Sequence, residues 1–88
     1  MTPIERAARA MYDTVQPDWD WDDPDAELLR RMYRENARAA LFALRTPSKQ
    51  QCVIGLEAST AHGGAALHDQ GIEAIWTAMV DAALAEQA

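Results

Sequence analysis

Apolar side chains recur every three or four residues in four separate stretches of this chain, the spacing of one face of an α-helix. No stretch alternates between apolar and polar residues as a half-buried strand does, and about a fifth of the residues are alanine, the strongest helix former. The pattern predicts an all-α fold. We expect one helical domain, residues 1–88, folded as a compact four-helix bundle with helices at about residues 3–15, 24–45, 47–59 and 69–86.

Each predicted helix begins at a capping side chain. Three helices also carry proline at their first position, where the missing N–H needs no partner, and these starts are Thr2-Pro3, Asp23-Pro24 and Thr46-Pro47. Glu5 follows Thr2 by three positions, which is the spacing of a capping box. We expect Asp69 to cap the fourth helix after a Gly63-Gly64 break, and Gln16, which precedes a proline, to end the first.

The apolar positions of these helices define the expected core. The first helix contributes Ile4, Ala7, Ala8, Met11, Tyr12 and Val15. The second contributes Leu28, Leu29, Met32, Tyr33, Asn36, Ala40 and Ala43. The third contributes Cys52, Val53 and Leu56, and the fourth contributes Ile72, Ile75, Trp76, Met79, Val80 and Ala83.

The composition indicates a small soluble protein of the reducing cytoplasm. The longest apolar run, residues 39–44, is far shorter than the about 20 residues of a membrane span. The start of the chain has neither the charged leader nor the apolar stretch of a secretory signal, and Cys52 has no second cysteine with which to form an internal disulfide. A chain of 88 residues also buries only a thin core. We therefore expect a homodimer through the last helix, on Trp76, Met79 and Val80.

Charge is distributed unevenly along the chain, although the net charge is only −6. Residues 18–27 carry six carboxylates and no base, whereas residues 28–50 carry six basic side chains and one glutamate. The acidic excess argues against nucleic-acid binding, because that affinity comes from Lys and Arg placed on phosphates. The chain is therefore expected to bind a protein or a ribonucleoprotein complex, with neither nucleic acid nor a membrane as a direct partner.

The second predicted helix carries a series of arginines with two interpretations. Arg31, Arg34 and Arg38 are candidates for phosphate contacts in a nucleic-acid binder. Glu27 and Glu35 stand four residues before and after Arg31, the spacing of helical ion pairs. We favour a face that neutralises its own charge.

The loop between the first two helices is the most unusual stretch of the chain, and we name it the Asp/Trp loop. Its carboxylates and tryptophans suit a partner-binding surface, because tryptophan is enriched among interface anchors and carboxylates complement a basic partner. The alternative is structural: carboxylates favour the first turn of a helix, and Trp21 precedes the cap as a hydrophobic staple does. The candidate residues are Asp18, Trp19, Asp20, Trp21, Asp22, Asp23 and Asp25.

No metal, cofactor or catalytic site is predicted. Asp18, Asp20 and Asp22 match the first ligands of a calcium loop, but Asp23 stands where that loop needs glycine and Leu29 where it needs glutamate. The potential zinc ligands Cys52, His62, His68 and Asp69 match no known zinc spacing. A Cys52–His62 dyad would lack an oxyanion donor and an orienting third group, so we expect no enzyme.

The second half of the chain resembles a group of small uncharacterised helical proteins from phages and prophages of alphaproteobacteria. The resemblance is carried by Ala37 to Ser48, by Gly55-Leu56-Glu57-Ala58 and by Ile75 to Leu84, which are similar to the group's "ARAALEALREPTEAM" segment and closing "IWRAMIDAAL" helix. It covers residues 37–84 and departs from the group at Lys49-Gln50-Gln51. The Asp/Trp loop lies outside it.

Size, acidity and this resemblance make the chain similar in kind to anti-CRISPR proteins. The expected function is a non-enzymatic inhibitor that binds a CRISPR effector complex in the cytoplasm of the host and blocks its recognition of DNA through an acidic surface. The alternative is a structural or accessory phage protein that acts through helical self-assembly.

Overall fold

The computed structural model describes residues 1–15, 17–63 and 68–86, and in these ranges the chain is helical with no β-strand. Its helices are α1 (Pro3–Thr14), α2 (Glu27–Ala43), α3 (Lys49–Ala61) and α4 (Asp69–Ala85), and a 3₁₀ turn, Pro24–Ala26, leads into α2. The predicted all-α architecture of four helices is confirmed. The expected end of the first helix at Gln16 and the break at Gly64 fall outside the described residues.

The helix starts follow capping chemistry, with three corrections. Thr2 accepts a hydrogen bond from the Glu5 amide at 3.1 Å, but the Glu5 carboxylate turns away to other partners, so the predicted capping box is half formed. Helix α3 is capped by Ser48 and not by Thr46, because Ser48 and Gln51 exchange side-chain to backbone bonds in a complete capping box. Helix α4 is capped by His68 and not by Asp69.

The core lies between α1 and α2. Its buried side chains include Ile4, Ala8 and Tyr12 of α1. The Tyr12 ring meets the rings of Trp21 and Tyr33 edge to face, with centroids 5.3 and 5.6 Å apart. Such edge-to-face pairs add to the stabilisation from burial alone.

Helix α2 turns only part of the predicted face inward: Leu29 and Tyr33 face the core as expected, and Ala37 and Leu41 join them in place of the other predicted residues. Leu29, Tyr33 and Leu41 pack against the core and Ala37 is buried within it, whereas Leu28 is 75% exposed. The residues of the predicted face that lie on the surface are Leu28, Met32, Asn36, Ala40 and Ala43. Apolar residues occur on both sides of α2, so periodicity alone did not select between them. The aromatic contact of Tyr33 with Tyr12 and the small Ala37 side chain favour the face observed.

The bundle is elongated and not compact. Its radius of gyration is 16.6 Å and its extents are 51 × 22 × 20 Å, whereas a compact chain of this length has a radius of gyration of about 12 Å. Helix α4 packs against α1, α2 and α3, while α3 packs only against α4. Helix α3 and the first half of α4, residues 69–79, therefore form a two-helix extension that we call the arm.

Gly55 allows α3 and α4 to approach each other closely in the arm. A Cβ atom at this position would lie 2.7 Å from Cγ2 of Ile72, which is too short for a van der Waals contact. We expect Gly55→Ala to lower the free energy of unfolding by about 1–2 kcal/mol, because overpacking outweighs the gain in helix propensity. Urea denaturation measures the change. Glu57→Ala, on an exposed position of the same helix, is the control and should change stability by less than about 0.5 kcal/mol. An equal or higher stability of Gly55→Ala would contradict this packing.

Candidate protein-binding site

Two side chains, one on α1 and one on α2, form hydrogen bonds to backbone carbonyl groups of the Asp/Trp loop. The Tyr12 hydroxyl, on α1, donates a hydrogen bond to the carbonyl oxygen of Trp19. The Arg30 guanidinium, on α2, donates to the carbonyl oxygens of Trp21 and Asp23, the latter at 2.7 Å. These bonds satisfy carbonyl groups that a loop otherwise leaves to water, and they fix the loop relative to both helices.

Trp21 belongs to the core. It is 5% exposed, its ring contacts Tyr12, and its indole N–H donates to Oε1 of Glu5 at 3.2 Å. The Arg34 guanidinium carbon lies 5.9 Å from the centre of the ring, within cation–π range. Trp21 therefore packs inward, as the structural interpretation of the loop expected, but against Tyr12 and Glu5 of α1 and not as a staple on α2, and it is not available as a partner contact.

Glu5 and Arg34 connect α1 to α2 beside Trp21. Nε of Arg34 lies 2.7 Å from Oε2 of Glu5, and a second guanidinium nitrogen donates to Oε1 at 3.1 Å. The hydrogen bond from Arg34 lowers the pKa of Glu5 against the opposing effect of burial. The same bond raises the pKa of Arg34. Sequence analysis missed this pair because its members are 29 positions apart.

The outward side of the loop presents carboxylates without partners. Asp18, Asp20 and Asp22 are exposed, and their side chains form no hydrogen bond or ion pair within the described part of the chain. Trp19, between the first two, is 50% exposed. We call Asp18, Trp19, Asp20 and Asp22 the acidic ridge. A depression of about 450 Å³ separates the ridge from Arg9 and Asp13 of α1.

The other two loop carboxylates act at the start of the helix. The Asp23 side chain accepts a hydrogen bond from the Asp25 amide at 2.8 Å, and Asp25 lies in the first turn of the 3₁₀ helix. Asp23 and Asp25 therefore fit the structural interpretation of the loop. Only the residues of the acidic ridge are still candidates for binding a partner.

The carboxylates of the loop also affect Tyr12. Burial raises the pKa of its hydroxyl, and the negative charges of Asp20 and Asp23 raise it further. Tyr12 therefore stays protonated through neutral and mildly basic pH and continues to donate to Trp19.

Most arginines in α2 or just after its end form hydrogen bonds within the chain. Arg30 pairs with Glu27, Arg38 donates to the carbonyl oxygen of Leu84 at 2.8 Å, and Arg45 pairs with Asp81 at 2.6 Å. The carboxylates of Glu27 and Asp81 offset the charge of Arg30 and Arg45, and the bond to Leu84 holds the Arg38 guanidinium against the protein, so less positive charge is available to a phosphate.

The predicted pairs of Arg31 with Glu27 and Glu35 are wrong. Glu27 contacts Arg30 and lies 3.8 Å from Arg34, on the inner edge of the helix, and Arg31 remains exposed without a partner in the described ranges. Of the three proposed phosphate contacts, Arg34 and Arg38 are engaged and only Arg31 is free. This arrangement weakens the nucleic-acid interpretation.

The three candidate dimer residues of α4 have different environments. Val80 is 4% exposed and lies in the interior, so the expectation that it contacts a partner is wrong. The Trp76 indole donates to the carbonyl oxygen of Leu44 at 2.7 Å and is partly buried. Met79 is 65% exposed and is free to make an intermolecular contact.

No group of three or more potential metal ligands occurs among the side chains that the structure describes. Cys52 is buried in the arm, while His62 is exposed at the end of α3. In the same part of the chain, no helix is both long enough and apolar enough to cross a membrane.

Comparisons with protein-family models, with curated proteins and with solved structures found no match.

The Glu5–Arg34 pair makes a testable contribution to stability. Because the pKa of Glu5 is lower in the folded chain than its ordinary value of 4.5, the contribution is complete above that pH and is lost as the pH falls through the folded pKa. We expect Glu5→Gln to lower the free energy of unfolding at pH 7 by about 1 kcal/mol. We also expect the difference between variant and wild type to shrink below pH 4.5. Denaturant melts across pH measure both effects, and a constant difference down to strongly acidic pH would contradict the assignment.

Proposed function

We propose that this protein is a non-enzymatic inhibitor whose acidic ridge binds a basic, nucleic-acid-binding surface of a CRISPR effector complex in the host cytoplasm. The observation that carries the proposal is a row of three unpaired, exposed carboxylates with a half-exposed tryptophan, on a backbone fixed by Tyr12 and Arg30.

The hydrogen bonds from Tyr12 and Arg30 to the loop backbone favour the binding of a partner. A loop already held in one conformation loses less conformational entropy when a partner immobilises it. In the described part of the chain, the carboxylates of Asp18, Asp20 and Asp22 pair with no cation, so a basic partner does not have to break an internal ion pair to bind them. Trp19 adds apolar area at the centre of the charged patch, as interface anchors do.

The choice of target rests on the sequence. Residues 37–84 resemble phage and prophage proteins, and an effector complex reads its target DNA through positively charged channels that bind the phosphate backbone. Carboxylates placed at such a channel compete for the same Lys and Arg side chains.

Binding to purified effector complexes tests the proposal. The protein, immobilised through a C-terminal tag, is incubated with representative complexes of each CRISPR type, and the retained complex is quantified. We expect retention of at least one complex, weakening as salt rises because exposed charges are screened. Failure to retain any of them would contradict the proposed target.

A second function is favoured by a different observation. The arm carries an open apolar surface, which suits a structural or accessory phage protein that self-assembles through its helices. Light scattering separates the two functions, since an assembly of many copies supports the structural one.

A further inference from the structure

The arm carries an apolar groove between α3 and α4. The groove has a volume of about 650 Å³, and its apolar walls include Ile54 and Ala58 of α3 and Ile72, Ile75 and Met79 of α4. None of its lining residues is Asp, Glu, Lys or Arg. Large apolar surfaces on an isolated domain mark sites of association.

We propose that this groove is the interface of a homodimer, in which the arm of one chain packs against the arm of a second copy to form an intermolecular bundle of two α3 and two α4 helices. The interface is isologous, since each arm offers the same groove to the other.

The surface area of the chain supports a second copy as the occupant. The chain exposes 6323 Å², whereas a folded monomer of 9.7 kDa exposes about 5,100 Å². The excess is about 1,200 Å², and a stable interface of standard size removes about 800 Å² from each partner. The excess is therefore large enough for one full interface.

The packing of the arm supports the same occupant. Among the helices that the structure describes, α3 contacts only α4, so these two helices form the core of the arm. The apolar groove between these two helices is exposed to water in every folded monomer, whether or not a target is present. A second copy is the partner that is available from synthesis onward.

Charge also selects this surface over the other apolar stripe of the molecule. Each chain carries −6, so two copies repel one another, and the repulsion is weakest when no carboxylate lies in the contact surface itself. The outer face of α2 exposes Leu28, Met32 and Phe42, but helical spacing places Glu35 among them. The groove of the arm has no such charge.

The two surfaces of the protein are separated by α2. The acidic ridge precedes the start of α2 and the arm follows its end. A dimer through the arm leaves the ridge of each chain exposed, and its existence does not depend on the proposed target.

Sedimentation equilibrium tests the dimer. We expect the wild type to have twice the mass of one 9.7 kDa chain at micromolar concentration. Ile54→Glu and Met79→Glu each place a charge in the groove at a position already exposed within the chain. We expect each to halve the mass while circular dichroism shows unchanged helix content.

Phe42→Glu is the matched control, because Phe42 is 64% exposed and lies outside the groove. It should remain dimeric. A monomeric wild type, an assembly larger than two, or a dimer that survives both groove substitutions would overturn the proposal, as would dissociation by Phe42→Glu alone. Because the groove variants keep the ridge intact, failure of the dimer is distinguishable from failure of target binding.

Discussion

Replacement of Trp21 by alanine is expected to remove about 3–5 kcal/mol from the free energy of unfolding, the cost of deleting a large buried aromatic side chain. The loss ends the ring contact with Tyr12 and the hydrogen bond to Glu5. A chain of 88 residues has a total stability of roughly 4–13 kcal/mol, so the variant is expected to lie close to unfolding. Thermal and urea melts followed by circular dichroism measure the loss.

Trp19→Ala is the matched control for this prediction, since it truncates the same side chain two positions earlier, where it is half exposed. Its stability should change by less than about 0.5 kcal/mol. Equal losses in the two variants would contradict the division of the loop into an inner and an outer tryptophan.

The combined Asp18→Asn, Asp20→Asn and Asp22→Asn variant is expected to lose on the order of 10- to 100-fold in affinity for its target. Each partly exposed charge contact contributes about 0.5–1 kcal/mol, and about 1.4 kcal/mol corresponds to a tenfold change. Stability should be nearly unchanged, because these carboxylates have no internal partner in the described chain. Titration calorimetry at fixed salt measures the affinity.

A variant with the same change in net charge keeps this test specific. Glu57, Glu73 and Glu86 are exposed and lie outside the loop. Their combined replacement by glutamine should leave the affinity within about threefold of wild type, since distant exposed charges are largely screened. Equal losses in both triple variants would show that net charge, and not the ridge, determines binding.

Local patterns predicted the helices well and their inward faces less well. Three-four spacing and capping residues located all four helices to within a few positions. The inward face of α2 was predicted in part: Leu29 and Tyr33 face the core as expected, whereas Leu28 and Met32 lie on the surface, and the packing of Tyr33 on Tyr12 decides between the two pairs. That contact joins residues far apart in the chain, which periodicity does not record.

The candidate site was predicted in part. The loop was identified by its composition, and the capping role of Asp23 and the inward packing of Trp21 followed from their places before the helix. The support from Arg30 could not be predicted, because it depends on a guanidinium that reaches back to two loop carbonyls. The bonds of Glu5 to Trp21 and Arg34 could not be predicted either, because its place three residues after Thr2 indicated only a local capping role.

Competition with target DNA is the most direct test of the central claim, that the acidic ridge occupies a surface which otherwise binds nucleic acid. A retained effector complex is titrated with its target duplex in the presence of increasing amounts of the protein, and duplex binding is followed by fluorescence anisotropy. We expect mutual exclusion, with the apparent DNA affinity falling in proportion to added protein and recovering when the triple Asp-to-Asn variant is used instead. A ternary complex with undiminished affinity for DNA would contradict it.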